Sequence, residues 1–507
     1  MKNWFKIEKA RINPWVFAAI LPLSIIAGVL YWIRKMCAGA TFESVMFTAR
    51  EGLSGLSGGV ASTFVSEVLL YTFIFAIVAV ILVYFLSKIV LIFKEREFSI
   101  SKTIWQFCLV LILFLIFFVN DAAFYITSYS EYTKAERVLS TFIEDNYIDP
   151  SSVKIEFPSK KRNLIFIHLE SIEATFADKE NGGNVPHNLI PELTNLAKQN
   201  ISFSNTDKLG GAIFEKGRKA LGGMGWTAAG LVSQTAGLPL KQTESKPWDL
   251  DASVYYPKAI TMGEILSGQG YNQIFMCGSE ASYGKRDSYY EKQGVEIKDL
   301  LTAREEGFVT EKYHSGFWGL EDKKLFEYAK QEITKLAKKD EPFAFQVLTV
   351  DTHFPNGWQD ENTIKSFGND YENAVATSSR QVAQFVEWIK EQDFFDDTTI
   401  VLTGDHLSMT SWVRELGWGK DKYIRTTYNA FINSAVKTEY TINREFTNLD
   451  MFPTILASMG AKISGNRLGL GVNLFSGEKT LLEEYGFDFL LEELAKTSEF
   501  LNYKFSR

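Results

Sequence analysis

Three short runs in this 507-residue chain place acids and histidines directly after strand-like apolar segments. Glu170-Ser171 follows NLIFIHL at 163–169, Asp351-Thr352-His353 follows residues 343–349, and Gly404-Asp405-His406 follows residues 398–403. Three of the five histidines, counting His168 inside the first segment, fall in or beside these runs. A Glu, an Asp and a His brought to one sheet edge offer carboxylate oxygens and an imidazole nitrogen to a divalent cation. A fourth run, Gly222-Gly223-Met224-Gly225-Trp226-Thr227-Ala228-Ala229-Gly230, is a glycine-rich turn entering a helix-like stretch. Thr227 there stands near a helix N-terminus. It is either a hydroxyl beside backbone N–H groups that favour anions or a simple helix cap.

Such residues need a scaffold that collects strand ends. Residues 163–169, 271–276, 343–349, 398–403 and 428–432 are short apolar runs rich in β-branched residues, read as buried strands. Residues 190–199, 259–267, 322–338, 371–392 and 449–459 are helix-like and lie between or after them. The alternation predicts an α/β domain with a central, mostly parallel sheet covered on both faces. In such sheets ligands bind outside the carboxyl ends of the strands, where the acids and histidines fall.

The first quarter of the chain is different. Uncharged stretches of 22, 20 and 18 residues lie between Arg11 and Arg34, Glu67 and Lys88, and Lys102 and Asp121. About 20 apolar residues cross a bilayer's hydrocarbon core, so three spans are expected, at about 12–33, 68–87 and 103–126. Trp4, Trp15, Trp32, Trp105 and Tyr125 suit the interfaces. Lys2, Lys6, Lys9 and Arg11, and then Lys88, Lys94, Arg96 and Lys102, mark the cytoplasmic side, which puts residues 127–507 outside the cytoplasm. Ala38-Gly39-Ala40 resembles a signal-peptide cleavage site, but the preceding apolar run is long for one and Arg34 and Lys35 intervene. The expected organisation is an anchor at 1–126, a connector at 127–162 broken near Asp149-Pro150, and an extracytoplasmic domain at 163–507.

Composition excludes several functions. Residues 1–126 carry a net +4 and the remainder a net −12, an acidic balance unsuited to nucleic acid. Three cysteines cannot build a disulfide scaffold or a Cys-rich metal site. No G-x-x-x-x-G-K-[ST] run is present, so no nucleotide is implied. Gly55-Leu56-Ser57-Gly58-Gly59 matches G-x-S-x-G but lies between two apolar spans, not at a strand-to-helix turn.

The run from Asn163 to Phe176 resembles the opening strand of the membrane phosphoglycerol transferases, the periplasmic glucan enzymes and lipoteichoic acid synthases of the sulfatase-like branch of the alkaline phosphatase superfamily. The segment from Gly225 to Leu240 resembles the nucleophile region of the glucan enzymes. Gly404-Asp405-His406, Asp351 to Pro355, Asp450 to Ile455 and Gly469 to Leu474 extend the likeness over about residues 160–475. The resemblance implies that Glu170, Asp405 and His406 hold a metal, that Thr227 is the nucleophile and also touches it, and that His353 contacts the substrate phosphate. It places Glu280, Lys285 and Arg286 in the segment that holds a glycerol head group, and it makes Trp318 structural. Ser379 stands where relatives often have Asp, which weakens any claim for a carboxylate there. The sulfatase signature C/S-x-P-x-R is absent around Thr227, which disfavours sulfate-ester hydrolysis.

What the resemblance implies is a metal-dependent transferase at the cell (inner) membrane, multi-pass, with its catalytic domain on the periplasmic or extracellular side. It would move glycerol phosphate from phosphatidylglycerol to a glucan or other envelope glycan through a phospho-threonine intermediate, releasing diacylglycerol. The ligand types suit Mn²⁺ or Zn²⁺, with Mg²⁺ less apt, and the lipoteichoic acid branch favours manganese. The alternatives are a phosphoethanolamine transferase acting on lipid A or a glycan, and a non-catalytic membrane sensor that keeps the fold.

Overall fold

NLIFIHL at 163–169 forms a strand because its bulky and β-branched side chains find cover on both sheet faces; six of the seven residues are buried. The computed structural model describes residues 5–7, 12–37, 43–44, 46–47, 58–93, 96–97, 102–217, 219–241, 255–310, 318–418 and 423–505. The basic residues Lys2, Lys9, Arg11 and Lys94, the small-residue triplet 38–40 and residues 55–57 of the G-x-S-x-G match lie outside the described residues. The chain divides into two units, Met1–Ala38 with Gly58–Glu131, and Gly39–Ser57 with Tyr132–Arg507.

The first unit is built on helices α1 (Pro14–Cys37), α2 (Gly58–Leu86) and α3 (Lys102–Glu136). Two stretches, Pro14–Trp32 and Phe64–Leu86, are long and apolar enough to cross a membrane. Apolar side chains such as Leu69 and Phe73 are exposed, as on a lipid-facing surface. The expected third span is not found among the described residues. Among the described residues α3 is apolar only over Thr103–Leu115, and Asn120-Asp121 interrupts the run beyond it. The side chains of 116–126 lie outside the described residues, although the helix itself is continuous.

The second unit holds the α/β domain. In chain order its main elements are β1 (Asn163–Leu169), α4 (Pro191–Gln199), α5 (Thr227–Ala236), β2 (Asn272–Cys277), β3 (Glu296–Lys298), α6 (Asp322–Leu336), β4 (Phe343–Leu348), α7 (Asp370–Lys390), β5 (Thr398–Gly404) and β6 (Asn429–Ile432). Six strands form one sheet in the order β6-β5-β1-β4-β2-β3, parallel throughout except for the antiparallel β5–β6 pair. The mostly parallel sheet expected from the sequence is present. The short strand β3 adds an edge too brief to stand out as a hydrophobic run.

Register places the site. His168 in β1 lies opposite Leu348 of β4 and Thr403 of β5, so these three strands end level with one another. Glu170, Thr349 and Asp405 therefore leave the sheet together, although they are far apart along the chain. Helices α6 and α7 cover one face with Leu325, Phe326, Ile333, Phe385 and Val386 packed against Phe345 and Val347. Burial of such side chains contributes roughly 1.5–3 kcal/mol each and makes the strand ends a rigid platform.

Candidate active site

Glu170, Asp405 and His406, all buried, each offer one ligand atom within 4.8 Å of the others. His406 Nε2 lies 3.4 Å from Glu170 Oε1 and 3.5 Å from Asp405 Oδ2. Ligands about 2.1 Å from a tetrahedral cation stand roughly 3.4 Å apart, so the spacing fits a small divalent ion. Each group is aimed by its second atom. Asp405 Oδ1 accepts from the N–H groups of Ser171 and His406, both at 2.8 Å. Its Oδ2 is buried without a hydrogen-bond partner, as a ligand oxygen awaiting a cation would be. His406 Nδ1 faces the Leu407 carbonyl oxygen at 2.9 Å, which makes Nδ1 an N–H donor and turns Nε2 toward the cluster, where loss of its proton would free a lone pair for a cation. Ser171 has φ +54°, a left-handed conformation that brings its hydroxyl 2.7 Å from Glu170 Oε1.

The electrostatics agree. Burial opposes charge on all three groups; His406 and the two carboxylates offset that cost for one another, while Glu170 adds to it for Asp405. Against burial, the charge of His406 draws Glu170 down to about 2. Burial, and then the Glu170 charge, pushes Asp405 up to about 7. Against burial, Asp405 and Glu170 draw His406 up to about 10. With no cation present, a proton on His406 supplies the positive charge that two buried carboxylates demand.

Thr227 joins this cluster. Its Oγ1 donates to Glu170 Oε2 at 3.2 Å and lies 3.3 Å from His406 Nε2. It is the first residue of α5, and the extended Trp226 before it provides no side-chain cap. Thr227 therefore does not cap the helix. Its hydroxyl is directed at the acids and histidine, and the first N–H groups of α5 are left for an anion. Gly223 at φ +76° makes the turn into this segment, and Pro239 and Leu240 pack too close to it for a Cβ.

Residues 221–461 match the Sulfatase family, a stretch that includes Thr227, His353, Asp405 and His406. A curated relative, phosphoglycerol transferase I of Escherichia coli O6:K15:H31 (strain 536 / UPEC), is 28% identical over 342 residues. The alignment takes in 66% of this chain and 41% of that one, so the chain spans less than half the length of this relative. By both comparisons the chain is similar to sulfatase-like proteins, and the curated relative among them is a phosphoglycerol transferase. Among solved structures, the lipoteichoic acid synthase LtaP of Listeria monocytogenes shares the fold, with a TM-score of 0.50 and 18% identity over 66% of this chain and 81% of that one. A protein in the alkaline phosphatase superfamily from Vibrio parahaemolyticus is 22% identical over 62% of this chain and 71% of that one, with a TM-score of 0.46.

Around the sulfatase-like centre the other expected residues fall as follows. His353 is close enough to Glu170 and His406 to feel both charges, while burial holds its pKa below the ordinary value. Its Nδ1 faces the Phe354 carbonyl oxygen at 2.8 Å, and its ring lies 4.5 Å from that of Trp318. Trp318 in turn lies 5.4 Å from Tyr283, so these rings join the His353 loop to the 279–286 loop. Arg286 is buried and spends its donors on that loop: Nε on Tyr283 O at 2.9 Å, and Nη2 on Ser279 Oγ at 2.9 Å and Glu280 O at 2.8 Å. Lys285, at φ +50°, carries its ammonium 5.8 Å from the Tyr255 ring. Glu280 is half-buried. Ser379 lies between α4 and α7, with its hydroxyl donated to Glu192 at 2.7 Å. His168 points into the sheet between Gln234 and Gln346, at 3.0 and 3.2 Å, and takes no part in the cluster.

The sequence did not disclose several supports. Asn448 Nδ2 donates to the Asp405 carbonyl oxygen at 2.6 Å, and Gln234 Nε2 to that of Gly404 at 2.9 Å. Thr349 Oγ1 accepts from the Glu170 N–H at 2.9 Å. Buried Arg425 bridges Glu173 and the Ser408 carbonyl oxygen, binding the turn after β1 to the loop after β5. Buried polar residues inside apolar runs, such as Gln234, were the signal available; their partners were not.

Proposed function

We propose that this chain is a membrane-anchored phosphoglycerol transferase that takes sn-glycerol phosphate from phosphatidylglycerol and passes it to an envelope glycan. The observation that carries this reading is the Thr227 hydroxyl, 3.2 Å from Glu170 and 3.3 Å from His406 at the start of α5. The family, and the curated relatives named phosphoglycerol transferase I, support the substrate class.

In the first step Thr227 Oγ gives up its proton and bonds to phosphorus, the bond to the diacylglycerol oxygen breaks, and that oxygen takes up a proton and leaves into the bilayer. In the second step an acceptor hydroxyl gives up its proton and bonds to phosphorus, the bond from phosphorus to Thr227 Oγ breaks, and Oγ regains a proton. One diester replaces another, so no nucleotide is needed. Glu170, Asp405, His406 and Thr227 would hold a divalent cation, manganese by preference. Bound there, it would stabilise the threonine alkoxide and polarise a phosphoryl oxygen, worth several kcal/mol. The α5 N–H groups and His353 face the phosphate and stabilise charge on its oxygens, with Lys285 at the rim. Glu280 and the loop fixed by Arg286 receive the glycerol hydroxyls.

The domain lies on the extracytoplasmic face in this reading. Positive flanks favour that orientation. A hydrogen bond from Gly223 of the catalytic domain to Glu43, which follows the first apolar helix, supports a shared side for both. The anchor confines the site to its lipid donor.

Full-length protein in micelles with labelled phosphatidylglycerol should release diacylglycerol, and Thr227→Ala should not. Release from phosphatidylethanolamine alone would replace the reading with phosphoethanolamine transfer. Release from neither would leave a non-catalytic membrane protein.

A further inference from the structure

The turn that delivers Thr227 is held from outside the α/β domain's own sequence. Gly223 donates its N–H to Glu43 Oε2 at 2.9 Å, a charge-assisted bond to a residue 180 positions earlier. Four residues on, buried Phe47 packs its ring 5.2 Å from that of Trp226 and 6.1 Å from that of Tyr255. Trp226 immediately precedes Thr227, and Tyr255 is the ring beneath the Lys285 ammonium. Beside the same turn, where Leu240 donates its N–H to the Gly223 carbonyl oxygen at 2.8 Å, Lys241 donates to the carbonyl oxygens of Leu494 (2.5 Å) and Lys496 (2.7 Å). Glu43 and Glu136 both favour its charge against burial. Glu43 follows the first apolar helix and Glu136 ends α3, so chain segments flanking the apolar helices converge on the turn that enters α5.

We propose that Glu43 and Phe47 are positioning residues for the nucleophile: Glu43 fixes the Gly223 turn through its N–H, Phe47 fixes the Trp226 ring, and together they set where Thr227 Oγ stands. The proposal rests on the transferase reading for its activity readout, but the placement itself can be measured without activity. Gly223 must keep φ +76°, and without an acceptor its N–H would be left unsatisfied, so the turn would relax. A displacement of under an ångström at Thr227 suffices to lower turnover.

The test uses full-length protein in micelles, comparing wild type with Glu43→Ala, Glu43→Gln and Phe47→Ala. Glu43→Ala should slow diacylglycerol release at saturating phosphatidylglycerol by tenfold or more, with less than a twofold change in KM. Glu43→Gln should recover to within about threefold, because its amide oxygen can accept the same N–H. Phe47→Ala should fall between them. Deuterium uptake in the peptide covering residues 221–231 should rise in Glu43→Ala and Phe47→Ala and stay near wild type in Glu43→Gln. Wild-type turnover in Glu43→Ala, equal loss in the Ala and Gln variants, or unchanged exchange would overturn the proposal. If the wild type releases no diacylglycerol, the transferase reading fails and the exchange pattern still decides the positioning role.

Discussion

Gly230, in the first turn of α5, lies against the main chain of Asp405, and a Cβ there would collide with the Asp405 carbonyl oxygen and carbon. The helix that carries Thr227, the proposed nucleophile, is thereby seated on the loop that carries Asp405 and His406. Three residues separate Thr227 from Gly230, one turn of helix, so the seating distance passes directly to the hydroxyl.

Gly230→Ala is the corresponding prediction. The backbone there is ordinary helix, so propensity favours alanine by about 1 kcal/mol. Overpacking against Asp405 opposes it by roughly 1–3 kcal/mol. Melting temperature should therefore fall, while diacylglycerol release falls by about tenfold or more as Thr227 moves from Glu170 and His406. Unchanged turnover would show that the seating is not required.

Thr227 separates chemistry from binding. Thr227→Ala should lower turnover by a factor of at least about 10³ and abolish any phosphoglycerol adduct seen by mass spectrometry after exposure to donor without acceptor. Thr227→Ser keeps the hydroxyl and should retain both at reduced rate. An adduct on another residue would reassign the nucleophile.

Metal binding should depend steeply on pH. His406, drawn up to about 10, holds a proton at neutral pH that it must release to coordinate an ion, and Asp405, at about 7, releases one in part of the molecules. Apparent Mn²⁺ affinity, measured by calorimetry, should rise with pH by about tenfold per unit for each proton released. At 100 times its dissociation constant the ion should stabilise the fold by about 2.7 kcal/mol, and Asp405→Asn should remove that gain. A pH-independent affinity would contradict the protonated His406.

His168 should weaken the fold in acid. Burial lowers its pKa from 6.5 to about 4, so between those values the unfolded chain binds a proton that the folded chain does not. Its stabilising contribution is whole above pH 6.5, declines as pH falls toward 4, and is lost below that, a change of about 3 kcal/mol. Denaturant unfolding of wild type and His168→Gln across this window should show a shallower acid decline in the variant. Parallel curves would locate the acid sensitivity elsewhere.

Much of the site was legible because it sits where strands end. NLIFIHL stops at Leu169 and the next residue is Glu170; Thr398–Gly404 stops and the next residue is Asp405. A buried parallel strand announces itself by its apolar run, and the first polar residue after it emerges at the ligand-binding edge. Thr227 was less legible. A threonine after a glycine-rich turn reads equally as a cap, and only its 3.2 and 3.3 Å approaches to Glu170 and His406 decide otherwise. The third membrane span was misjudged as equivalent to the others because an uncharged stretch of 18 residues says little about the Asn120-Asp121 break at its end.

The sequence by itself determined the α/β alternation, the apolar helices at the start of the chain, and the identities of the residues at the strand ends, since each follows from local hydrophobic pattern and chemistry. Tertiary structure alone decided that Glu170, Thr227, Asp405 and His406 meet, that Arg286 is bound into its own loop, and that Glu43 reaches Gly223. The physical reason is range: periodicity speaks for neighbours along the chain, whereas Thr227 meets Glu170 and His406 across 57 and 179 residues and Gly223 meets Glu43 across 180, and the local Arg286 contacts depend on a loop conformation that no periodicity describes.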